Sequence, residues 1–175
     1  MQIVPVSSAQ LLARRPEFEL LLADAVGHGA SIGFLLPLEP GEAAAYWRGV
    51  AAQVEAGGKV LIGAFGADGS LLGCGQLALE PRANGRHRAE VQKLMVRHDA
   101  RGRGLGAAIM RALEAEARRA QRSLLFLDTS VGAGGAVRFY EKLGYTLAGG
   151  IPDYARDPDG AFAANAIFYK RLPVT

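Results

Sequence analysis

Cysteine is nearly absent from this chain of 175 residues, with Cys74 standing alone. A single thiol forms no intrachain disulfide, and its apolar setting, Leu71-Leu72-Gly73-Cys74-Gly75, suits a small buried side chain better than a nucleophile. The three histidines, His28, His87 and His98, lack ligand spacing with Cys or carboxylates, so no metal is expected. No Gly-x-Ser-x-Gly elbow occurs, which removes the commonest serine-hydrolase signature. No apolar run approaches membrane-spanning length, and the first residues lack a basic segment followed by an apolar core, so no membrane partner and a cytoplasmic location are expected. Aromatic residues are only 7% of the chain and the net charge is a modest +3. The basic clusters at 82–88, 97–103 and 118–122 have no interleaved aromatics, so no nucleic-acid partner is expected. Length and mixed composition suit one globular domain, taken as residues 1–175, with no repeat or linker dividing it. Self-association as a homodimer is left open by these residues.

Glycine, by contrast, is plentiful, and it concentrates where it carries chemistry. Arg101-Gly102-Arg103-Gly104-Leu105-Gly106-Ala107 lies between a strand-like run at 89–96 and a helical run at 105–120. Without a Cβ, the backbone at Gly102, Gly104 and Gly106 can approach a ligand and direct several N–H groups at one anion. The following helix begins with unpaired N–H groups and the positive end of its dipole, and Arg101 and Arg103 add full charges, so the stretch suits a pyrophosphate. One reading is a dinucleotide fingerprint, Gly102-x-Gly104-x-x-Ala107, with Asp128 about 20 residues on as the ribose acid. Its context argues otherwise. A dinucleotide strand is buried on both faces and nearly all apolar, whereas Glu90, Gln92 and Lys93 interrupt this one, and residues 97–101 separate it from the turn. Too little chain follows Asp128 to complete a doubly wound sheet.

Periodicity and turn residues supply the rest of the order. A strand is expected at 3–6, one or two helices across 9–26 interrupted near Pro16, and a helix at 42–55 stopped by Gly57-Gly58. Strands at 59–65 and 70–79 are joined by Ala67-Asp68-Gly69, a hairpin signal. A strand at 90–96, a helix at 105–120, a strand at 124–128, a helix at 136–143 and strands at 145–148 and 164–170 complete the order. The class is α/β of the α+β kind.

The element order, the glycine loop read as Arg101-x-x-Gly104-x-Gly106, and the run Arg138-Phe139-Tyr140-Glu141-Lys142-Leu143-Gly144-Tyr145 resemble the GNAT superfamily of N-acetyltransferases. Gly29-Ala30-Ser31-Ile32-Gly33-Phe34, residues 89–96 and 100–106, Leu127-Asp128-Thr129 and Pro158-Asp159-Gly160 extend the likeness over most of the chain, toward the tabtoxin-resistance branch. The resemblance implies a mixed, mostly antiparallel central sheet flanked by helices, acetyl-CoA as acetyl donor, and a primary amine of a small molecule as acceptor. It implies that Leu94, Met95 and Val96 run beside the pantetheine arm, that residues 101–107 (Arg101, Gly102, Arg103, Gly104, Leu105, Gly106 and Ala107) hold the pyrophosphate, and that Arg97 and Arg103 reach the remaining phosphates. It further implies that Tyr140 lies beside the sulfur, where a phenol with a pKa near 10 can protonate a thiolate whose thiol has a pKa near 8.5.

Glu90 and Asp128 are the candidate bases, since an amine with a pKa near 10.4 must lose a proton before it attacks. The plainer alternatives are that Tyr140 is core and that either carboxylate pairs with Arg88 or Lys93 at the surface. For the acceptor, the resemblance points to Ser31, Phe34, Glu90, Asp128, Asp153 and Tyr154, a set suited to a small zwitterionic amine such as a tabtoxinine-β-lactam-like toxin. An amino acid, a polyamine or a protein amine stays open as acceptor, as does a non-catalytic acyl-CoA sensor, while Trp47 reads better as core. Ala133 stands where many members of the superfamily have an asparagine, so a side-chain contact to pantetheine is expected to be lost there.

Overall fold

The structure is a computed structural model and describes residues 1–131 and 135–173; Ala133 lies outside the described residues. Strand β1 (Gln2–Pro5) leads into two helices, α1 (Ser8–Ala13) and α2 (Arg15–Gly27). Their break has a local cause. Ser7 and Gln10 form a reciprocal capping box that starts α1, and Pro16 sits in the first turn of α2, where its missing N–H costs nothing. Helix α3 (Glu42–Glu55) precedes the hairpin of β2 (Lys59–Phe65) and β3 (Leu71–Leu79). In that hairpin Gly69 takes φ +80°, and the Asp68 carboxylate accepts hydrogen bonds from the Ser70 N–H and hydroxyl at 3.1 and 2.8 Å. There follow β4 (Arg88–Val96), α4 (Leu105–Arg119), β5 (Leu124–Ser130), α5 (Ala136–Lys142) and β6 (Thr146–Gly149). A small hairpin of β7 (Ala155–Arg156) and β8 (Phe162–Ala163) and the long β9 (Asn165–Arg171) end the order.

Seven strands form one sheet in the order β1-β2-β3-β4-β5-β9-β6. Every neighbouring pair is antiparallel except β4 with β5. A mostly antiparallel sheet with one parallel contact is incompatible with a doubly wound dinucleotide fold, which needs a largely parallel one.

Helices cover both faces, because alternate residues of the central strands are apolar on both sides. On one face Ile62, Leu77, Leu125 and Phe168 pack against Ile109, Met110 and Leu113 of α4 and Tyr140 of α5. On the other, Leu61, Cys74 and Met95 pack against Leu11, Phe18, Leu22, Trp47 and Val50 of the first three helices. Trp47 is completely buried and meets Phe18 with ring centroids 5.0 Å apart, so it is core. Burial raises the Cys74 thiol well above the ordinary thiol range, which leaves it protonated and inert. No helix among the described residues is long and apolar enough to cross a membrane.

The hairpin at residues 155–163 is the element that periodicity missed. Its strands are two residues each, too short for an alternating pattern, and the available signal was the turn sequence Pro158-Asp159-Gly160. Phe168, fully buried on β9, touches the Tyr140 ring at 5.7 Å. Phe168→Ala is expected to cost about 3–5 kcal/mol of stability in equilibrium urea unfolding, because the cavity forms between the sheet and α5 where neither can collapse freely.

Candidate functional site

Strands β4 and β5 run parallel for three pairs only, Arg88 with Leu124, Ala89 with Leu125 and Glu90 with Phe126. Beyond them the ladder stops, although β4 runs on to Val96 and β5 to Ser130. The strands part, and a cleft of about 340 Å³ opens there, lined among others by Glu90, Gln92, Lys93, Asp128, Tyr140 and Tyr154.

A bulge in β4 decides which side chains face that cleft. Ala89 and Val91 pack into the core under α4, so strict alternation would send Lys93 the same way. Instead the pairing with β3 shifts between Cys74 and Gln76, Lys93 adopts φ +50°, and Leu94 and Val96 take the α4 side. Glu90, Gln92 and Lys93 therefore all line the cleft. Re-aiming a side chain is a general consequence of a bulge.

A chain of polar groups runs from Glu90 into the molecule. Gln92 Nε2 donates to Glu90 Oε2 at 2.8 Å, and Lys59 Nζ donates to Gln92 Oε1 and Gln76 Oε1, both at 2.9 Å. Gln76 Nε2 in turn donates to the Tyr46 hydroxyl at 2.9 Å. Glu90 is thus oriented by Gln92 and does not pair with Arg88, whose guanidinium binds Glu80 at 3.0 Å. Burial lowers the pKa of Lys59, and the nearby charge of Lys93 lowers it further, against the opposing pull of Glu90. Lys93 is likewise lowered by burial, with Asp128 and Glu90 acting in the opposite direction. Tyr140, wedged between Phe139, Tyr145 and Phe168, is pushed up to about 12 by burial and then by the charge of Asp128. Its phenol therefore holds its proton at neutral pH.

The glycine loop leads from the far end of β4 into α4. Gly102 and Gly104 take φ +76° and +77°, a region closed to most side chains, and a Cβ at either would meet no atom within 4 Å. The constraint is thus backbone shape and not lack of space. Gly104 caps α4 without a side-chain hydrogen bond, which leaves the first N–H groups of a 15-residue helix without side-chain competition. Arg101 Nε and Arg103 donate to the carbonyls of Val96 and Asp99 at 3.1 and 3.2 Å, which ties both charges to the loop. Arg97 instead binds the Asp99 carboxylate at 2.6 Å, so its charge is partly neutralised. Gly106 serves packing, since a Cβ there would lie 3.3 Å from the Phe139 ring. These features fit a pyrophosphate.

The structure brings together Ser31, Glu90, Leu94, Asp128, Tyr140 and Tyr154 around one cleft. Two residues expected in the acceptor set lie away from the cleft lining. Phe34 is buried, 8% exposed, with its ring edge-on to Tyr46 at 5.3 Å, because that apolar face completes the core against α3. Asp153 does not line the cleft: at φ +51° it turns the exposed loop ahead of Tyr154. Met95 is buried against the first helices, so any contact with a ligand there is through its backbone. Sequence reasoning missed Lys59, Gln92 and Lys93 as site residues, although the polar character of residues 90–93 was the available signal. It also missed Asn165, a buried residue lining the cleft whose Nδ2 has no partner among the described residues, while its Oδ1 accepts from the Ile151 N–H at 2.8 Å. Among the described residues no cluster of His, Cys, Asp or Glu is arranged to hold a metal ion.

A glycine loop, a parted parallel strand pair and a buried tyrosine are what this geometry brings together. Residues 27–145 match the family model for the acetyltransferase (GNAT) family, and the chain belongs to that family. The IAA acetyltransferase of Azospirillum brasilense is 32% identical over 94 residues, covering 54% of this chain. The matched stretch spans about 60% of the length of that curated relative. Among solved structures, the ribosomal-protein-alanine N-acetyltransferase of Brucella melitensis superposes with a TM-score of 0.80 at 19% identity, over 98% of this chain and 100% of the other. The phosphinothricin acetyltransferase of Sinorhizobium meliloti, solved in complex with AcCoA, gives 0.78 at 17% identity, over 98% and 88%. At such identities the likeness is one of fold.

Gln92→Leu removes the donor to Glu90 and one of the two acceptors of the Lys59 ammonium. It is expected to cost about 1–3 kcal/mol in urea unfolding, the penalty for stranding a buried polar group.

Proposed function

We propose that this chain is a single-domain N-acetyltransferase that moves the acetyl group of acetyl-CoA to the primary amine of a small molecule. The observation that carries the proposal is the convergence of Glu90, Asp128 and Tyr140 on the cleft where β4 and β5 part, beside a glycine loop suited to a pyrophosphate. Bound acetyl-CoA supplies the thioester. Residues 101–107 would hold its pyrophosphate through backbone N–H groups and the charges of Arg101 and Arg103, and the strand edge at Leu94, Met95 and Val96 would run along its pantetheine arm, as an extended ligand pairs with an exposed strand.

The remaining work falls to side chains. An amine with a pKa near 10.4 arrives almost wholly protonated. Glu90, fixed by Gln92, accepts that proton directly or through water, and Asp128 across the cleft attracts the ammonium. The Tyr140 hydroxyl, still protonated at neutral pH because burial and Asp128 raise its pKa, is the donor for the departing sulfur. Among acceptors, a toxin of the tabtoxinine-β-lactam kind is the narrow proposal, supported by the likeness of residues 29–34, 89–96 and 127–129 to the tabtoxin-resistance branch. An amino acid or a polyamine is the broader one.

The first test is CoA thiol release from acetyl-CoA with tabtoxinine-β-lactam, a polyamine and a lysine peptide as acceptors, corrected for hydrolysis without acceptor. Release above that background with a small amine is expected, and none with any acceptor would overturn the enzymatic reading. Glu90→Gln and Tyr140→Phe are each expected to lower kcat by about 10²-fold or more while leaving acetyl-CoA binding within about twofold. At about 100 times its Kd, acetyl-CoA is expected to raise Tm by roughly 5–10 °C, with no shift from NAD. Gly104→Ala, which forces a Cβ into φ +77°, is expected to abolish most of that shift.

A further inference from the structure

Lys93 is out of place on ordinary grounds. It is the one position of β4 with positive φ, at +50°, in a region that lysine occupies at a cost and glycine would occupy freely. The bulge turns it from the core-facing parity of Val91 into the cleft. Its ammonium makes no direct ion pair with a carboxylate among the described residues, although the charges of Asp128 and Glu90 act on it. Nζ lies 5.9 Å from the centroid of the Tyr46 ring, and a Cβ placed on Gly33 would be 3.5 Å from it. It is therefore directed at the wall formed by residues 31–33 and Tyr46, with the Ser31 hydroxyl among the same lining groups.

The cleft thus carries charges of both signs. Glu90 and Asp128 are suited to an ammonium, while Lys93, with the second buried cation Lys59 beside it, leaves positive charge in a partly desolvated place. Lys59 spends two of its donors on neutral glutamine oxygens, so neither cation is neutralised by an ion pair within the described structure. Desolvating a cation is costly, and since the charges of Asp128 and Glu90 act on Lys93 without a direct ion pair, an anionic group of the acceptor in contact with the ammonium would relieve that cost.

Building on the acetyltransferase reading, we infer that Lys93 is a specificity residue that binds a carboxylate of the acceptor, so that the substrate class is a zwitterionic amine of the α-amino-acid type. The acceptor amine faces Glu90 and Asp128, and its carboxylate meets the Lys93 ammonium at the wall of Ser31, Gly33 and Tyr46. Simple polyamines and protein lysines lack that carboxylate and are poor acceptors.

The test pairs α-amino acids with apolar, polar and basic side chains, each with its own α-carboxamide, and measures kcat/KM by CoA release in the wild type, K93M and K93R. In the wild type the acids are expected to exceed their amides by about ten- to a hundredfold, the worth of one charge-assisted hydrogen bond. In K93M that ratio is expected to fall to near unity, mainly through KM, while K93R keeps most of it. The two members of a pair differ in amine pKa, but this difference is the same in every variant and cancels when ratios are compared. Retention of the acetyl-CoA thermal shift in K93M shows that it is folded. Calorimetric binding of the same pairs to the CoA-saturated protein separates the two readings. Lys93-dependent preference for the acids without turnover would sink the enzymatic proposal and leave the subsite standing. Equal binding of acid and amide by the wild type, a preference that survives in K93M, or no binding of any acid would overturn the subsite.

Discussion

The parting of β4 from β5 after three ladder pairs is the constraint on which the rest of this molecule depends. Two adjacent parallel strands would ordinarily exchange hydrogen bonds along their shared length and close the sheet. Here the separation is sustained from both sides. Strand β5 is held along all seven residues by β9, and β4 is held by β3 through a bulged register. Each strand therefore keeps its outer partner while the inner edges diverge, and a cleft opens in the middle of a sheet whose two faces are otherwise covered by helices.

That opening is where the chemistry collects, for reasons of geometry. Glu90 lies at the last paired position of β4 and Asp128 two residues beyond the last paired position of β5, so both carboxylates stand at the mouth of the split. Tyr140 reaches the same cleft from α5, held by three aromatic neighbours. Behind Glu90 the Gln92–Lys59–Gln76–Tyr46 chain links the sheet to α3. Tyr46 and Glu90, both in the cleft lining, thereby belong to one connected polar structure, in which a change at Gln92 reaches both.

The loop at residues 101–107 was legible because glycine at a fixed spacing before an amphipathic helix has few other physical uses, and Gly102 and Gly104 do take the positive φ that excludes other residues. Most element bounds were legible too. Helix 42–55 and strand 59–65 agree with the structure to the residue, because one has a helical apolar period, the other is a short continuous apolar run, and glycines punctuate their ends. The hairpin at 155–163 escaped because two-residue strands carry no period. Phe34 was assigned to the acceptor and is core, since an aromatic residue beside glycines in a loop reads alike whether it faces a ligand or Tyr46.

By itself the sequence determined the order of elements apart from the hairpin at 155–163, the glycine loop and the polar interruption of β4 at residues 90–93, since each follows from local residue type and spacing. Only the tertiary structure decided where those side chains face. Whether Lys93 faces the core or the cleft turns on a register shift against β3, and whether Glu90 meets Arg88 or Gln92 turns on Glu80 having already taken the arginine. Register and partner choice are set by contacts between residues far apart in the chain, which periodicity along one strand does not encode.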